Sequence, residues 1–113
     1  MKKYIVKQNG YKDCGPSCLL SIMKYYGVEA SHEEVTMNLK TTREGTNAFN
    51  IINGSRLYGF DGYASHYSYD DIINNKVTFP IICHCKKDNY LHFIVVYKVN
   101  RNSLIIMDPS SNI

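Results

Sequence analysis

The sequence has no tryptophan, only three prolines and no apolar run long enough to cross a bilayer. Its basic first residues, 1–7, lack the apolar core of a signal peptide. Like charges are not clustered, and 13 basic against 10 acidic residues leave a net charge of +3, so the basic surface of a nucleic-acid-binding protein is not expected. We therefore expect a cytoplasmic protein, or the cytoplasmic part of a larger one, with no nucleic acid as a partner.

Internal repeats, linkers and low-complexity tracts are also absent, and 113 residues suit one domain, 1–113. The chain has four cysteines. Without an export signal, we expect them to be free, catalytic or metal-bound rather than paired in disulfides.

The stretch from Gln8 to Tyr26 has the pattern of a loop that leads into a helix beginning at Cys14. Pro16 suits the first helical turn, and Gly27 suits the position just after the helix. The thiol of Cys14 would then meet unpaired backbone N–H groups at the positive end of the helix dipole, which favours the thiolate. The side-chain amide of Gln8 is a donor of the kind that stabilises an oxyanion. The alternative is an ordinary half-buried cysteine and a surface glutamine. The predicted apolar side of the helix comprises Cys18, Leu19, Ile22, Met23 and Tyr26.

Helical patterns fill the first part of the chain, and strand patterns dominate the last part. Capping boxes and apolar spacing predict further helices at 32–39, from Ala48 to about Gly59, and for one turn from Ser68 to Ile73. Strand patterns predict short strands at Tyr4–Val6 and Tyr63–Tyr67, and longer ones at Ile81–Cys85, Leu91–Val99 and Ser103–Met107. Helices followed by an antiparallel meander predict an α+β fold, with the N-terminal helices packed on one face of the sheet.

The last two strands bring a histidine to a carboxylate if the loop between them has an odd length. A three-residue loop at 100–102 pairs Val99 with Ser103. It also puts His92 on the same face as Asp108, diagonally across from it and within reach. An even loop would put the two on opposite faces. A thiol, an imidazole and an orienting carboxylate are the groups that nucleophilic acyl transfer needs.

Three motifs occur in order along the chain: Gln8 with Asp13–Cys18 (DCGPSC), Leu91–Val96 (LHFIVV) and Met107–Pro109 (MDP). They resemble the bacteriocin-processing cysteine peptidase domain of peptidase-containing ABC transporters, and the resemblance covers nearly the whole chain. It implies a papain-like fold. The implied catalytic residues are Cys14 as the nucleophile, His92 as the general base and acid, Asp108 as the orienting carboxylate and Gln8 as the oxyanion donor.

The resemblance also implies a setting. The family's domain usually forms the cytosolic N-terminal part of an ABC transporter, so transporter membrane and nucleotide-binding domains would be partners, at the cytosolic face of the membrane. The substrate would be the double-glycine leader of an exported bacteriocin, lantibiotic or pheromone precursor, cut after Gly-Gly. No metal or organic cofactor is called for. Family domains continue some tens of residues past the Asp-Pro motif, so we expect this chain to be C-terminally truncated relative to them.

Steric exclusion explains why two glycines would be selected, because a narrow channel admits them and rejects any side chain. Affinity must then come from leader residues further away, as in helix-in-groove recognition. An apolar stripe on a helix is more often core than groove. The residues selected for an apolar leader groove are Phe49, Ile52, Leu57, Tyr58 and Tyr63.

The other cysteines and histidines are expected to have structural or surface positions rather than functional roles. Cys83 and Cys85 share one strand face while His84 points to the other, so the three would not chelate a metal together. Cys18 lacks the Cys-x-x-Cys spacing of a redox pair with Cys14 and is expected in the core. Two further histidines, His32 and His66, are expected at the surface.

The sequence is compatible with two other functions. One is a non-catalytic domain that tethers a substrate to a transporter without cutting it. The other keeps the same chemistry but transfers or hydrolyses a side-chain amide.

Overall fold

The fold consists of helices followed by an antiparallel sheet, in a computed structural model that describes residues 4–10, 12–87, 90–101 and 103–110. The helices are α1 (Cys14–Tyr25), α2 (His32–Asn38), α3 (Ala48–Ser55) with a 3-10 turn at Arg56–Tyr58, and α4 (Tyr69–Ile73). The strands are β1 (Ile81–Lys87), β2 (Tyr90–Asn100) and β3 (Ser103–Met107). Within the described residues they form one sheet in the order β1-β2-β3. The predicted α+β class is confirmed, and in those same residues no helix is long and apolar enough to span a membrane.

Helix α1 lies at the centre of the core and is buried on all sides over its first turns. Every residue from Gly15 to Met23 is buried, which is more than the single stripe that the spacing predicts. The helix ends at Tyr25, and Gly27 lies just past its end, as predicted, with a left-handed φ of 77°. The next residue, Val28, donates its N–H to the carbonyl of Met23 at 2.8 Å. Tyr26 is predicted on the apolar side of the helix, but it follows the last helical residue and is 56% exposed.

The core forms where α1 packs on the sheet. From α1 it takes Cys18, Leu19, Leu20, Ile22 and Met23, and from the sheet Phe93, Val95, Tyr97 and Met107. Burying each large apolar side chain stabilises the fold by about 1.5–3 kcal/mol, whereas an isolated helix of this length is marginal in water. The sheet therefore holds α1, and with it Cys14, in place.

Helices α2 and α4 begin with the caps that the sequence predicts. The hydroxyl of Ser31 accepts from the N–H of Glu34 at 3.0 Å, and Ser68 forms a complete capping box with Asp71 at the start of α4. Gly54 in α3 packs so tightly on the end of α2 that a β-carbon there would lie 2.9 Å from the Asn38 carbonyl oxygen.

Two predicted short strands are wrong. Residues 5–7 and 61–68 have no regular secondary structure, and 63–67 are exposed. A strand needs a neighbour for its backbone N–H and C=O groups, and these segments pair with none of the three described strands.

The hairpin of β2 and β3 reaches the predicted register by a different route. Asn100 pairs with Ser103, so the connecting loop has two residues rather than three, and the predicted pairing of Val99 with Ser103 is wrong. The register then shifts at a bulge between Val96 and Lys98. The bulge adds one unpaired residue, which restores the parity that the even loop had reversed. Beyond it Val95 pairs with Met107, as the three-residue loop also predicts.

Candidate active site

Cys14 is the first residue of α1, half-buried, with backbone N–H groups directed at its sulfur. Burial raises the pKa of its thiol, the N–H groups of Phe93, Gly15 and Cys14 itself partly offset this, and the charge of Asp13 adds a smaller upward contribution. The helix N-terminus acts in the expected direction, but desolvation of a half-buried sulfur outweighs it.

Gly15 shows how tightly three elements converge beside Cys14. A β-carbon at Gly15 would lie 2.5 Å from Cγ2 of Thr46, 3.4 Å from Cδ1 of Ile51 and 3.7 Å from Cδ2 of Phe93. The Thr46 side chain cannot turn aside freely, because its hydroxyl donates to the carbonyl of Leu39 at 2.6 Å. The loop before α3 and strand β2 therefore pack directly on the turn that carries the thiol.

His92 and Asp108 meet as the sequence predicts. Nε2 of His92 lies 2.7 Å from Oδ1 of Asp108, and the imidazole is almost completely buried. His92 immediately precedes Phe93, whose N–H faces the Cys14 sulfur. The thiol therefore lies beside the segment of β2 that carries the imidazole.

Ser110 is a member of this site that sequence reasoning missed. Its N–H and its hydroxyl donate to Oδ1 of Asp108 at 3.0 and 2.8 Å, and the hydroxyl also lies 3.4 Å from Nε2 of His92. The signal was present in the sequence, since an aspartate followed two residues later by serine is typical of turns closed by side-chain hydrogen bonds.

Gln8 lies next to this turn. Its backbone N–H donates to the carbonyl of Pro109 at 3.0 Å. Its side-chain nitrogen donates to the carbonyl of Gly10 at 2.5 Å, which uses one of the two amide hydrogens. Oε1 is buried and has no hydrogen-bond partner in the described part of the chain. The amide is therefore held by a local turn.

Asp13 and His32 form a second histidine–carboxylate pair. Nε2 of His32 lies 3.0 Å from Oδ2 of Asp13, and the side chain of Asp13 is only 6% exposed. The expectation that His32 is a surface residue is wrong. Asp13 precedes a helix, where an aspartate usually caps, but its side chain does not cap α1; it accepts hydrogen bonds from the 9–10 turn instead.

Sequence comparison agrees with this geometry. The model of the peptidase C39 family matches residues 2–113. The chain belongs to the peptidase C39 family. Among curated relatives, the lactococcin-G-processing and transport protein LagD of Lactococcus lactis is 34% identical over 111 residues, which is 97% of this chain and 16% of LagD. The pediocin PA-1 transport and processing protein PedD of Pediococcus acidilactici is 32% identical over 112 residues, 98% of this chain and 16% of PedD. The chain thus spans about one sixth of these relatives.

Solved C39 structures share the fold. The peptidase domain of Streptococcus ComA, a bifunctional ABC transporter involved in quorum sensing, superposes with a TM-score of 0.84 at 34% identity, over 93% of this chain and 77% of that one. A double-glycine-motif protease from an AMS/PCAT transporter, solved with its leader peptide, gives a TM-score of 0.87 at 27% identity, over 95% of this chain and 74% of that one. The papain-like fold expected from the motifs is confirmed.

The residues predicted to form a leader groove in this C39-family chain lie on and after α3, and they differ in exposure. Phe49, Leu57 and Tyr63 are 71%, 68% and 79% exposed. Ile52 is partly buried. Tyr58 is also partly buried. Its hydroxyl donates a hydrogen bond to Glu34 and accepts one from Asn38. Three of the five side chains are therefore open to a ligand, and Tyr58 is committed to a structural contact.

Most of the remaining cysteines and histidines lie in the structural or surface positions expected from the sequence. The four cysteines all lie in the described residues, and none of them is in a disulfide. Cys18 is fully buried in the core, as predicted, and His84 stacks on Phe93 with ring centroids 4.1 Å apart. His66 is exposed. Across the described residues no cluster of three or more metal-binding side chains occurs.

Proposed function

We propose that this C39 domain is a cysteine endopeptidase that cuts leader peptides after a Gly-Gly pair, and that it works as the cytosolic part of a peptide-exporting ABC transporter. The contact that carries the proposal is the 2.7 Å pair of His92 and Asp108, next to the β2 amide that faces the Cys14 sulfur. The names of LagD and PedD describe processing and transport, and the AMS/PCAT protease was solved with a leader peptide.

The reaction begins with a proton transfer. Nε2 of His92 faces Asp108, so Nδ1 is the nitrogen that accepts the proton of the Cys14 thiol. A raised thiol pKa makes a free thiolate scarce at neutral pH, and pairing the thiolate with an imidazolium offsets that cost. Asp108 in turn stabilises the imidazolium and fixes the ring.

The Cys14 sulfur then attacks the carbonyl carbon of the second glycine. The oxyanion of the tetrahedral intermediate accepts a hydrogen bond from the amide hydrogen of Gln8 that is not bonded to Gly10. The C–N bond breaks, and His92 returns its proton to the leaving amine. Water, deprotonated by His92, hydrolyses the resulting thioester and releases the leader and the free thiol. The cycle uses no metal or organic cofactor.

Leader binding uses the exposed apolar residues of α3 and the segment after it. Phe49 and Leu57 are both more than two-thirds exposed, and the loop leading into α3 packs against the Cys14 turn through Thr46 and Gly15. An amphipathic leader helix bound to this surface would bury its apolar face, and its C-terminal Gly-Gly would extend toward the thiol.

The test is to incubate the protein, with a thiol reductant, with double-glycine leader peptides and read product masses. Matched peptides carrying Ala-Ala in place of Gly-Gly are the control. We expect two fragments split after the second glycine, and no cleavage of the Ala-Ala series. An intact peptide of altered mass would indicate amide chemistry instead and would contradict the proposal.

A second candidate is a leader-binding domain without catalysis. The observation in its favour is the raised pKa of Cys14, since a sluggish thiol suits a tether better than a nucleophile. The same experiment separates the two: a tether binds Gly-Gly leaders and returns them unchanged.

A further inference from the structure

The carboxylate of Asp13 holds the turn that follows Gln8 through two hydrogen bonds. Oδ2 accepts the N–H of Asn9 at 2.6 Å, and Oδ1 accepts the N–H of Gly10 at 2.8 Å. The position of Gly10 in turn fixes Gln8, because the Gly10 carbonyl accepts a hydrogen bond from the side-chain amide of Gln8. Two consecutive hydrogen bonds, both made by Gly10, therefore link Asp13 to the Gln8 amide.

A buried carboxylate needs a counter-group, and His32 of α2 supplies it. Nε2 of His32 lies 3.0 Å from Oδ2 of Asp13 and 3.0 Å from the hydroxyl of Ser17. Nδ1 lies 3.3 Å from the side-chain amide of Asn9 and 3.4 Å from the hydroxyl of Thr36. The ring thus touches the carboxylate, the turn and α1 at once, and its side chain is 22% exposed.

We propose that His32 is a positioning residue for the Gln8 amide, acting through Asp13 and Gly10. The inference depends on the proposed function only in taking Gln8 to be the oxyanion donor. Without the imidazole, Asp13 keeps its two backbone donors but loses its counter-group. Water then takes the place of the ring beside Oδ2, or the carboxylate rotates. The 9–10 turn then loosens, and the Gln8 amide is no longer fixed before the reaction begins.

Such a loss affects the transition state more than the bound ground state. The oxyanion exists only after attack, so kcat should fall while KM stays nearly constant. A general loss of stability would instead affect the core as well as the turn. The distinction can be measured, because the turn amides and the core amides exchange their hydrogens separately.

The experiment compares three variants with the parent protein. His32→Leu removes both ring nitrogens. His32→Gln places an amide nitrogen near the position of Nε2 and keeps the donor to Asp13. His66→Leu is the matched control, because His66 is an exposed histidine outside the site. The readouts are kcat and KM on a Gly-Gly peptide, and hydrogen exchange at the N–H groups of Asn9 and Gly10, with Met23 and Val95 as core references.

We expect His32→Leu to lower kcat by roughly tenfold or more with KM within about twofold, and to speed exchange at Asn9 and Gly10 but not in the core. His32→Gln should recover most of the parent kcat and most of the slow exchange at Asn9 and Gly10. His66→Leu should match the parent in both quantities. Unchanged kcat and turn exchange in His32→Leu would overturn the inference, as would equal acceleration of turn and core exchange. If the parent cuts no leader, the proposed function fails, and the exchange data alone still decide whether His32 holds the turn.

Discussion

The backbone N–H of Gln8 donates a hydrogen bond to the carbonyl of Pro109 at 3.0 Å. This bond joins the loop before α1 to the turn after β3. Pro109 directly follows Asp108, which pairs with His92. The segments that carry the proposed oxyanion donor and the proposed orienting carboxylate are therefore joined through main-chain atoms, which the substitution Gln8→Ala leaves in place.

Gln8→Ala is a clean test of the oxyanion role for that reason. The substitution keeps the bond to Pro109 and deletes only the amide. We expect kcat to fall by roughly 10²–10³, the usual cost of removing one oxyanion donor, with KM and the unfolding midpoint nearly unchanged. Steady-state kinetics and chemical denaturation measure these quantities. A drop in stability large enough to account for the lost activity would argue for a structural role instead.

Ser110→Ala tests the support of the carboxylate. The hydroxyl donates to Oδ1 of Asp108 at 2.8 Å, and a hydrogen bond to a charged group contributes about 1.5–3 kcal/mol. The N–H of Ser110 still donates to the same atom, so we expect only a several-fold loss of kcat. Asp108→Ala should cost about a hundredfold or more, the usual scale of general acid–base catalysis.

Ser110→Thr is the control for that variant, because threonine keeps the hydroxyl. Kinetics on one Gly-Gly peptide should rank the parent and threonine variant above alanine. Equal activity of the alanine variant and the parent would mean that the backbone N–H alone orients Asp108.

Stability should fall at alkaline pH. Burial raises the pKa of the Cys14 and Cys83 thiols, raises that of Cys18 well above its usual value, and raises that of Tyr97 to about 12. Each group has a higher pKa folded than unfolded. The stability from keeping it neutral is complete below its unfolded pKa and is lost as the pH rises through the folded one.

Urea unfolding under reductant from pH 7 to 11 should show a level free energy of unfolding up to about pH 8.5, the unperturbed thiol pKa, and a decline above it. Cys18→Ala should have a lower free energy of unfolding at neutral pH, from the core cavity, but a shallower alkaline decline. A free energy that rises with pH over this range would contradict the burial of these thiols.

Chelation should leave activity unchanged. The proposed steps use only the thiol, the imidazole and hydrogen-bond donors, so EDTA in the peptide assay is expected to have no effect, whereas a thiol alkylator should abolish cleavage. Loss of activity in EDTA, restored by one divalent metal, would overturn the metal-free mechanism.

Local signals predicted the parts of the fold that local physics controls. Gly27 ends α1 because the left-handed turn is encoded where it occurs, and Ser68 caps α4 through atoms only three residues away. Strand β3 was predicted at its observed bounds, Ser103–Met107. The meeting of His92 with Asp108 was predictable because a hairpin brings sequence neighbours together.

Tertiary contacts account for what was missed. The bulge after Val96 is not encoded in the loop composition, so the route to the hairpin register could not be predicted. His32 meets Asp13 only because α2 folds back on the start of α1. The pKa of Cys14 depends on how deeply the sulfur is buried, and sequence spacing does not report burial.

The most direct measurement compares Cys14→Ala with Cys83→Ala in the peptide-cleavage assay, with leader binding followed in parallel by calorimetry. Both residues are half-buried thiols whose pKa is raised by burial, but only Cys14 begins the helix beside His92. We expect Cys14→Ala to bind the leader with near-parent affinity and cut none of it, and Cys83→Ala to keep most of the parent rate. Cleavage by Cys14→Ala at the parent rate would contradict the assignment of Cys14 as the nucleophile.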